Sequence, residues 1–394
     1  MKILYHHRTR GRHVEGVHIR GVVGALRGLG HEVRVLSFPG ADPEREPEPA
    51  PAGAAAAGNG GLAGAVTRLP GVLFELAEIA YNLVTWWRIG ALLRREPPDF
   101  IYERYSLFLC ATVWLAGRRG IPIVLEMNDS AVVERVRPLV LRGLARRIER
   151  WCLRRATGLV FISTRFRDLL AGEYGQLPPS VVSPNAVDGR FDPDGYDRDR
   201  LRRERGLDGR VVCGHVGAFV PWHGVGAFIA AILKRLDEAP GLTLLLIGDG
   251  RELPAVRAEV AARGLADRVH LPGRVGHEQI PGWLACMDYA VLPDSNEYGS
   301  PMKLFEKMAM AVAVVAPDYD PIAEVIDDGR TGWLFPRRRL DACVDAVLAL
   351  AGPDRAGERA RVGAAARDYI RAERQWRNNA QQLLALVAAR TARR

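Results

Sequence analysis

The segment "EYGSPMKLFEKMAM", Glu297 to Met310, sets Lys303 and Glu306 three residues apart just behind a Ser-Pro step. Ser300 is a favoured helix N-cap, and Pro301 suits the first helical position because its missing N–H would have had no partner there. A helix that starts here offers free backbone N–H groups and a positive dipole end, so an anion such as phosphate can sit against it. His223, in "PWHG", is a second candidate, with Trp222 able to stack and the imidazole able to donate to phosphate. His6, His7, His13 and His18 concentrate near the N-terminus, but their spacing matches no zinc pattern. The five cysteines are scattered without a CxxC pair, so neither a metal site nor a disulfide framework is indicated. Reduced, cytosolic thiols are the expectation.

The elements that must carry these residues alternate. "KILYHH", "EVRVLSF", "FIYERY", "IPIVLEM", "GLVFIS" and "SVVSPN" form a first series of strand-like runs. After a polar stretch from Asp188 to Arg210, "VVCGHVGAF", "LTLLLIG", "RVHLPG", "YAVLP", "AVAVVAP" and "GWLF" form a second. Helix-length segments such as Gly21 to Leu29, Val225 to Glu238 and Met302 to Ala311 lie between. Strands alternating with helices predict parallel sheets with helical crossovers. A chain of 394 residues is too long for one ordinary core, so two doubly wound domains follow, residues 1–190 and 191–370. The stretch 39–61, rich in Pro, Ala, Gly and Glu, is expected to be a mobile loop, and 371–394 an amphipathic helix packing across the domain junction. Open parallel sheets bind ligands at the carboxyl ends of their strands, which predicts a site in a cleft between the two domains. No GxGxxG follows either domain's first strand and no GxxxxGK[ST] occurs, which argues against dehydrogenase and P-loop readings.

Hydrophobic residues at 48% and charged residues at 26% fit a soluble globular protein, not a fibre or a disordered chain. The N-terminal "MKILYHHRTR" is too short in apolar residues for a signal peptide, so a cytoplasmic location is expected. Leu69 to Leu93 is hydrophobic, but Glu75, Glu78 and Arg88 interrupt it, which suits an amphipathic or core helix better than a membrane span. Net charge is +9, densest from Leu139 to Gly158, where Leu141, Leu144, Ile148, Trp151 and Cys152 recur at helical spacing and leave arginines on the other face. That face reads either as simply solvated or as a peripheral contact with anionic lipid headgroups or an anionic acceptor. Nucleic-acid binding is not expected, because no nucleic-acid module accompanies the charge.

The ordered set "HVGAFVPWHGV", "LLLIGDGREL", "VHLPGRVGHEQIPGWLACMDYAVLP", "SPMKLFEKMAM" and "EVIDDGRTGWLF" resembles the donor-binding domain of family-4 glycosyltransferases. The first half agrees through "LGHEV", "GLVFISTRFRDLL" and "SPNAVDGRFDP". The resemblance implies an α/β GT-B fold, two Rossmann-like doubly wound parallel-sheet domains facing a central cleft. It also implies retaining, metal-independent transfer of a sugar from a nucleoside diphosphate donor, UDP or GDP foremost, with no cofactor beyond that co-substrate. The acceptor would be a hydroxyl of a glycan, a lipid-linked sugar or a small molecule. Glu306 matches the second acid of the family's Glu-x7-Glu motif, where it would accept from ribose hydroxyls.

Several positions depart from the family pattern. The motif's first acid falls on Tyr298, with Glu297 one position early, and the customary Arg and Lys of the phosphate loop fall on Ala218 and His223. Lys303, with the backbone N–H groups of Gly299 to Met302 and with His223, is expected to replace that cation pair, Pro301 counting among the donor contacts. Gly217 and Gly248 complete the expected donor contacts, with the nucleobase read around Gly273, Arg274 and Val275. In the first domain, Asn128 stands where the family often has a catalytic-region His, followed by Asp129, and Glu126 is the nearby candidate base. The loop Arg10 to Gly21, with Gly16 and His18, is expected to contact acceptor. A nucleotide-sugar epimerase or a non-catalytic sugar-nucleotide-binding subunit are the alternatives, since fold alone cannot choose.

Overall fold

The computed structural model describes residues 1–9, 14–37, 69–135 and 137–391; the expected loop 39–61 and His13 lie outside the described residues. The chain forms two compact units, Met1–Pro184 with Trp376–Arg394, and Asn185–Gln375. Both series of runs seen in the sequence form strands.

The first unit carries β1 (Lys2–His6), β2 (Glu32–Leu36), β3 (Phe100–Arg104), β4 (Ile123–Met127), β5 (Gly158–Phe161) and β6 (Ser180–Val182), ordered β2-β1-β3-β4-β5-β6. The second carries β7 (Val211–Val216), β8 (Leu242–Ile247), β9 (Val269–Gly273), β10 (Tyr289–Val291), β11 (Val314–Pro317) and β12 (Trp333–Phe335), ordered β12-β11-β10-β7-β8-β9. Every described pairing between these strands is parallel. Ile123–Met127 and Leu242–Ile247 are buried at every position. A strand covered by helices on both faces has no solvent side, so its sequence runs apolar without alternation.

The C-terminal helix is placed, and two local expectations are corrected. The C-terminal helix Trp376–Thr391 belongs to the first unit: Trp376 stacks edge-on against His18 with centroids 4.9 Å apart, and Asn379 donates to the Pro184 carbonyl at 2.8 Å. Gly21 makes room for it, since a Cβ there would lie 2.4 Å from the Trp376 indole. The first helix runs Val14–Gly28, so Gly16 and His18 sit within it and not in a loop. Its start was obscured because the polar residues before Gly21 occupy helical positions whose neighbours come from elsewhere in the chain.

In the basic helix Arg142–Arg155, the inward row is Ala145, Glu149, Cys152 and Leu153, whereas Leu144 is exposed. The apolar spacing misled because a carboxylate occupies the inner face. Glu149 Oε2 accepts from the Ser130 hydroxyl at 2.9 Å, the Ala131 N–H at 3.1 Å and the Tyr174 hydroxyl, and so pins the loop after β4. The hydrophobic stretch near residue 80 is the helix Gly71–Arg95, whose Glu75 accepts the N–H groups of Val140 and Leu141 at 2.7 Å each. No helix among the described residues is long and apolar enough to cross a membrane.

Candidate active site

In the second unit, the carboxyl ends of β7, β8 and β9 are laced together by backbone. Gly217 donates to the Ile247 carbonyl at 3.0 Å, Phe219 to Asp249 at 2.9 Å, and Gly248 to Gly273 at 2.9 Å. Gly248 has φ +145, and a Cβ on it would come within 1.8 Å of the Gly217 oxygen, so only glycine lets these turns meet. The loop returns through Gly224, at φ +65 in the left-handed region, into the helix Val225–Ile232.

Two basic side chains converge on this loop. A Cβ on Gly217 would lie 3.3 Å from Lys303 Nζ and 2.9 Å from His215 Nε2, and neither of those buried atoms has a hydrogen-bond partner among the described residues. Burial lowers the Lys303 pKa to about 8. His215 is fully buried at the end of β7, and its Nδ1 lies 3.1 Å from the Val291 carbonyl. A carbonyl only accepts, so Nδ1 carries the proton and Nε2 presents a lone pair. Burial, then the Lys303 and Lys307 charges, hold His215 well below the usual histidine range. Lys307, one helical turn beyond Lys303, is buried and donates to the Lys303 carbonyl at 3.1 Å; burial and Lys303 bring it down to about 7. A buried cluster of basic groups is costly, and since Glu306 beside Lys307 offsets it only in part, an anion there would be stabilised.

The helix start differs from the sequence reading. The helix runs Met302–Ala309, Pro301 occupies the cap position, and no side chain caps it. The Ser300 hydroxyl instead accepts the Asn185 N–H at 2.9 Å, so it is already committed. The Gly299 N–H goes to Asn296 Oδ1, and Pro301 has none to give, which removes two of the expected backbone donors. Tyr298 also donates to Asn296, at 3.3 Å, while Glu297 pairs with Arg338. His223 spends its Nδ1–H on the Ala218 carbonyl at 3.0 Å, so in its neutral form it holds the loop and cannot donate onward. Burial, then Lys303, lowers its pKa. Arg274 is exposed and Val275 half-buried after β9. Glu306 Oε1 lies 3.0 Å from His277 Nε2, whose Nδ1 lies 3.4 Å from Arg190; this chain orients the carboxylate.

In the first unit, Glu126 at the end of β4 is not placed to act as a base. Its Oε1 pairs with His18 Nε2 at 2.8 Å and Arg104 at 2.6 Å and accepts from the Asn128 amide, while Oε2 accepts from the Tyr5 hydroxyl at 3.3 Å. Burial alone would raise its pKa, but the His18 and Arg104 charges outweigh burial and hold it well below the usual carboxylate range. A carboxylate so committed is a weak proton acceptor. His18 and Asn128, expected to meet acceptor, are thus tied to Glu126. Asp129 is tied to Arg135 at 2.8 Å and to the Ser130 N–H at 2.9 Å, with its pKa raised by burial. Gly16 is buried in its helix. His6 pairs with Glu103, and no group of three or more His, Cys, Asp or Glu among the described residues could hold a metal ion.

His215, Lys307, His277, Asn185 and Arg104 were missed by sequence reading. His215 did leave a signal: one imidazole inside an otherwise apolar run, two residues before the glycine that ends the strand. His277, Asn185 and Arg104 act through partners distant in sequence, and Lys307 is betrayed only by its burial.

Two parallel doubly wound units, the second with buried basic side chains at its glycine-lined strand ends, are the architecture of the GT-B glycosyltransferases. Anabaena Alr3699/HepE, solved in complex with UDP, superposes with a TM-score of 0.71 over 99% of this chain and 100% of its own, at 16% identity. The family model for a "Glycosyl transferase 4-like domain" matches residues 15–186, and that for "Glycosyl transferases group 1" matches 210–352. The chain belongs to the group 1, family-4-type glycosyltransferases. It is 30% identical over 236 residues to the alpha-D-kanosaminyltransferase of Streptomyces kanamyceticus, covering 58% of this chain and 61% of that one. It is 28% identical over 228 residues to a GDP-mannose-dependent alpha-(1-6)-phosphatidylinositol monomannoside mannosyltransferase of Mycobacterium tuberculosis, covering 55% and 58%. The matches thus span less than two thirds of those curated relatives.

Proposed function

We propose that the protein transfers a sugar, with retention of anomeric configuration, from a nucleoside diphosphate sugar to an acceptor hydroxyl. The single observation that carries this is the convergence of Lys303 Nζ and His215 Nε2, both buried and unpartnered, beside Gly217. Cleaving the glycosidic bond leaves negative charge on the diphosphate, and a fixed cation in a water-poor pocket stabilises that charge as it develops. Lys303 supplies the cation, so the step needs no resident metal ion. With Glu126 committed in its own network, the departing phosphate takes the acceptor proton. Glu306 accepts from the ribose hydroxyls, with His277 fixing its orientation. UDP and GDP sugars head the donor list, in keeping with a fold neighbour solved with UDP and a relative named as GDP-mannose-dependent. The acceptor is a glycan, a lipid-linked sugar or a small molecule.

A thermal-shift screen with UDP, GDP, ADP, dTDP and CMP sugars identifies the donor, since a bound ligand raises stability by mass action. With that donor and an acceptor, nucleoside diphosphate is expected to appear only when acceptor is present, and NMR of the product should show the donor's anomeric configuration. Inverted product overturns retention. Free epimerised sugar without acceptor would establish an epimerase, and binding without turnover a binding subunit.

Gly248→Ala is expected to abolish the donor-induced thermal shift. The new methyl collides with the Gly217 oxygen and occupies a φ that L-residues rarely adopt. Circular dichroism should show both sheets retained. An undiminished thermal shift would remove the turn after β8 from the site.

A further inference from the structure

Resting on the donor-site reading above, we infer that His215 is a donor-binding residue that meets a diphosphate oxygen through Nε2 and takes up one solvent proton when the sugar nucleotide binds. The geometry leaves the ring one way to do so. Nδ1–H is held by the Val291 carbonyl at 3.1 Å, and the Phe219 ring packs edge-on with centroids 6.3 Å apart, so the imidazole is not free to turn over. Nε2 points to the space beside Gly217 that it shares with Lys303 Nζ, and nothing donates to it there. A phosphate oxygen is an acceptor and cannot meet a lone pair. It can meet Nε2 only after that nitrogen gains a proton, and the imidazolium then donates from both nitrogens.

Burial first, and then the charged neighbours, explain why the proton is absent beforehand. The helix Met302–Ala309 turns Lys303 and Lys307 toward His215, the loop after β7 adds His223, and all three disfavour a further positive charge. Asp294, after β10, faces His223 and opposes that trend. The flanking strand positions, Leu246 on β8 and Val291 on β10, are apolar. Two phosphate charges entering this pocket reverse the balance, and the proton comes from solvent. His215 thereby replaces one of the loop cations that the sequence lacks, but only while the ligand is bound.

The test is calorimetry of the tightest sugar nucleotide from the screen, titrated at pH 7 in buffers of different ionisation enthalpy. A diphosphate diester has no proton of its own to exchange near neutrality, so the dependence of heat on buffer counts protons taken up by the protein. About one proton per ligand is expected, with affinity rising up to about tenfold for each pH unit lowered between 8 and 7. His215→Asn, whose amide can keep the bond to Val291, should reduce the uptake by most of a proton, leaving only what Lys307 and Lys303 take up, and weaken binding by about tenfold. Binding with no proton uptake in the wild-type chain overturns the inference and leaves the donor site standing. Undiminished uptake in His215→Asn, with the far-ultraviolet spectrum unchanged, overturns it in favour of Lys303. If that variant does not fold, the wild-type affinity profile decides: a flat profile from pH 8 to 7 overturns the inference. Failure of every sugar nucleotide to bind at any pH overturns both readings.

Discussion

Replacing Lys303 with Ala is expected to lower kcat/KM by two to three orders of magnitude, about 3–4 kcal/mol, the range seen when one preorganised donor to a developing oxyanion is removed. The physical basis is position as much as charge. Nζ is buried and has no hydrogen-bond partner among the described residues, so no competing carboxylate there has to be displaced before a diphosphate is met. Burial brings its pKa down to about 8, so the ammonium is the main form at neutral pH and is lost as pH rises. The wild-type profile of kcat/KM, already falling between pH 7 and 8 as His215 must take up its proton, should therefore steepen through about pH 8 by a further tenfold per unit. That limb reports the free enzyme; in kcat it should lie higher, because a bound diphosphate favours the ammonium. Lys303→Arg should move the limb out of the accessible range, since guanidinium does not deprotonate there. An Ala variant with wild-type kcat/KM and an unshifted alkaline limb would remove Lys303 from the reaction.

What the sequence disclosed and what it hid divide along physical lines. Continuous apolar runs such as "LTLLLIG" can be only strands buried on both faces or helix cores, and their length and Gly endings settle the choice. The two successive series of strands, and the position of Lys303 after the fourth strand of the second series, could be anticipated for that reason. Ser300 was misread because an N-cap preference is local, whereas the Asn185 N–H that holds its hydroxyl lies 115 positions away. Glu149 was hidden for the same reason, since the donors that make its burial tolerable lie on the loop after β4 and on the Thr164–Tyr174 helix. Local patterns register propensity, while polar burial is decided by partners that only the folded chain assembles.

The same logic gives Glu126 its largest consequence, which is stability and not catalysis. Glu126→Ala is expected to destabilise the first unit by about 3–5 kcal/mol, because it strands the Arg104 and His18 side chains, 13% and 6% exposed, around a vacated acceptor. For a unit of this size that corresponds to a fall in Tm of about 10 °C. The pH dependence separates this from a simple packing defect. The native carboxyl pKa lies well below the ordinary value of 4.5, so the unfolded chain binds the proton more readily. The stabilisation is complete above about pH 4.5 and is lost as pH falls toward the native pKa, at up to about 1.4 kcal/mol per unit. The difference between wild type and Glu126→Gln, measured by urea unfolding, should thus be constant from pH 8 to 5 and shrink below that. A difference that stays constant down to pH 3 would mean that Glu126 stabilises the fold by shape and not by charge. Loss of transfer activity at pH 7 with stability unchanged would return Glu126 to the reaction as the base.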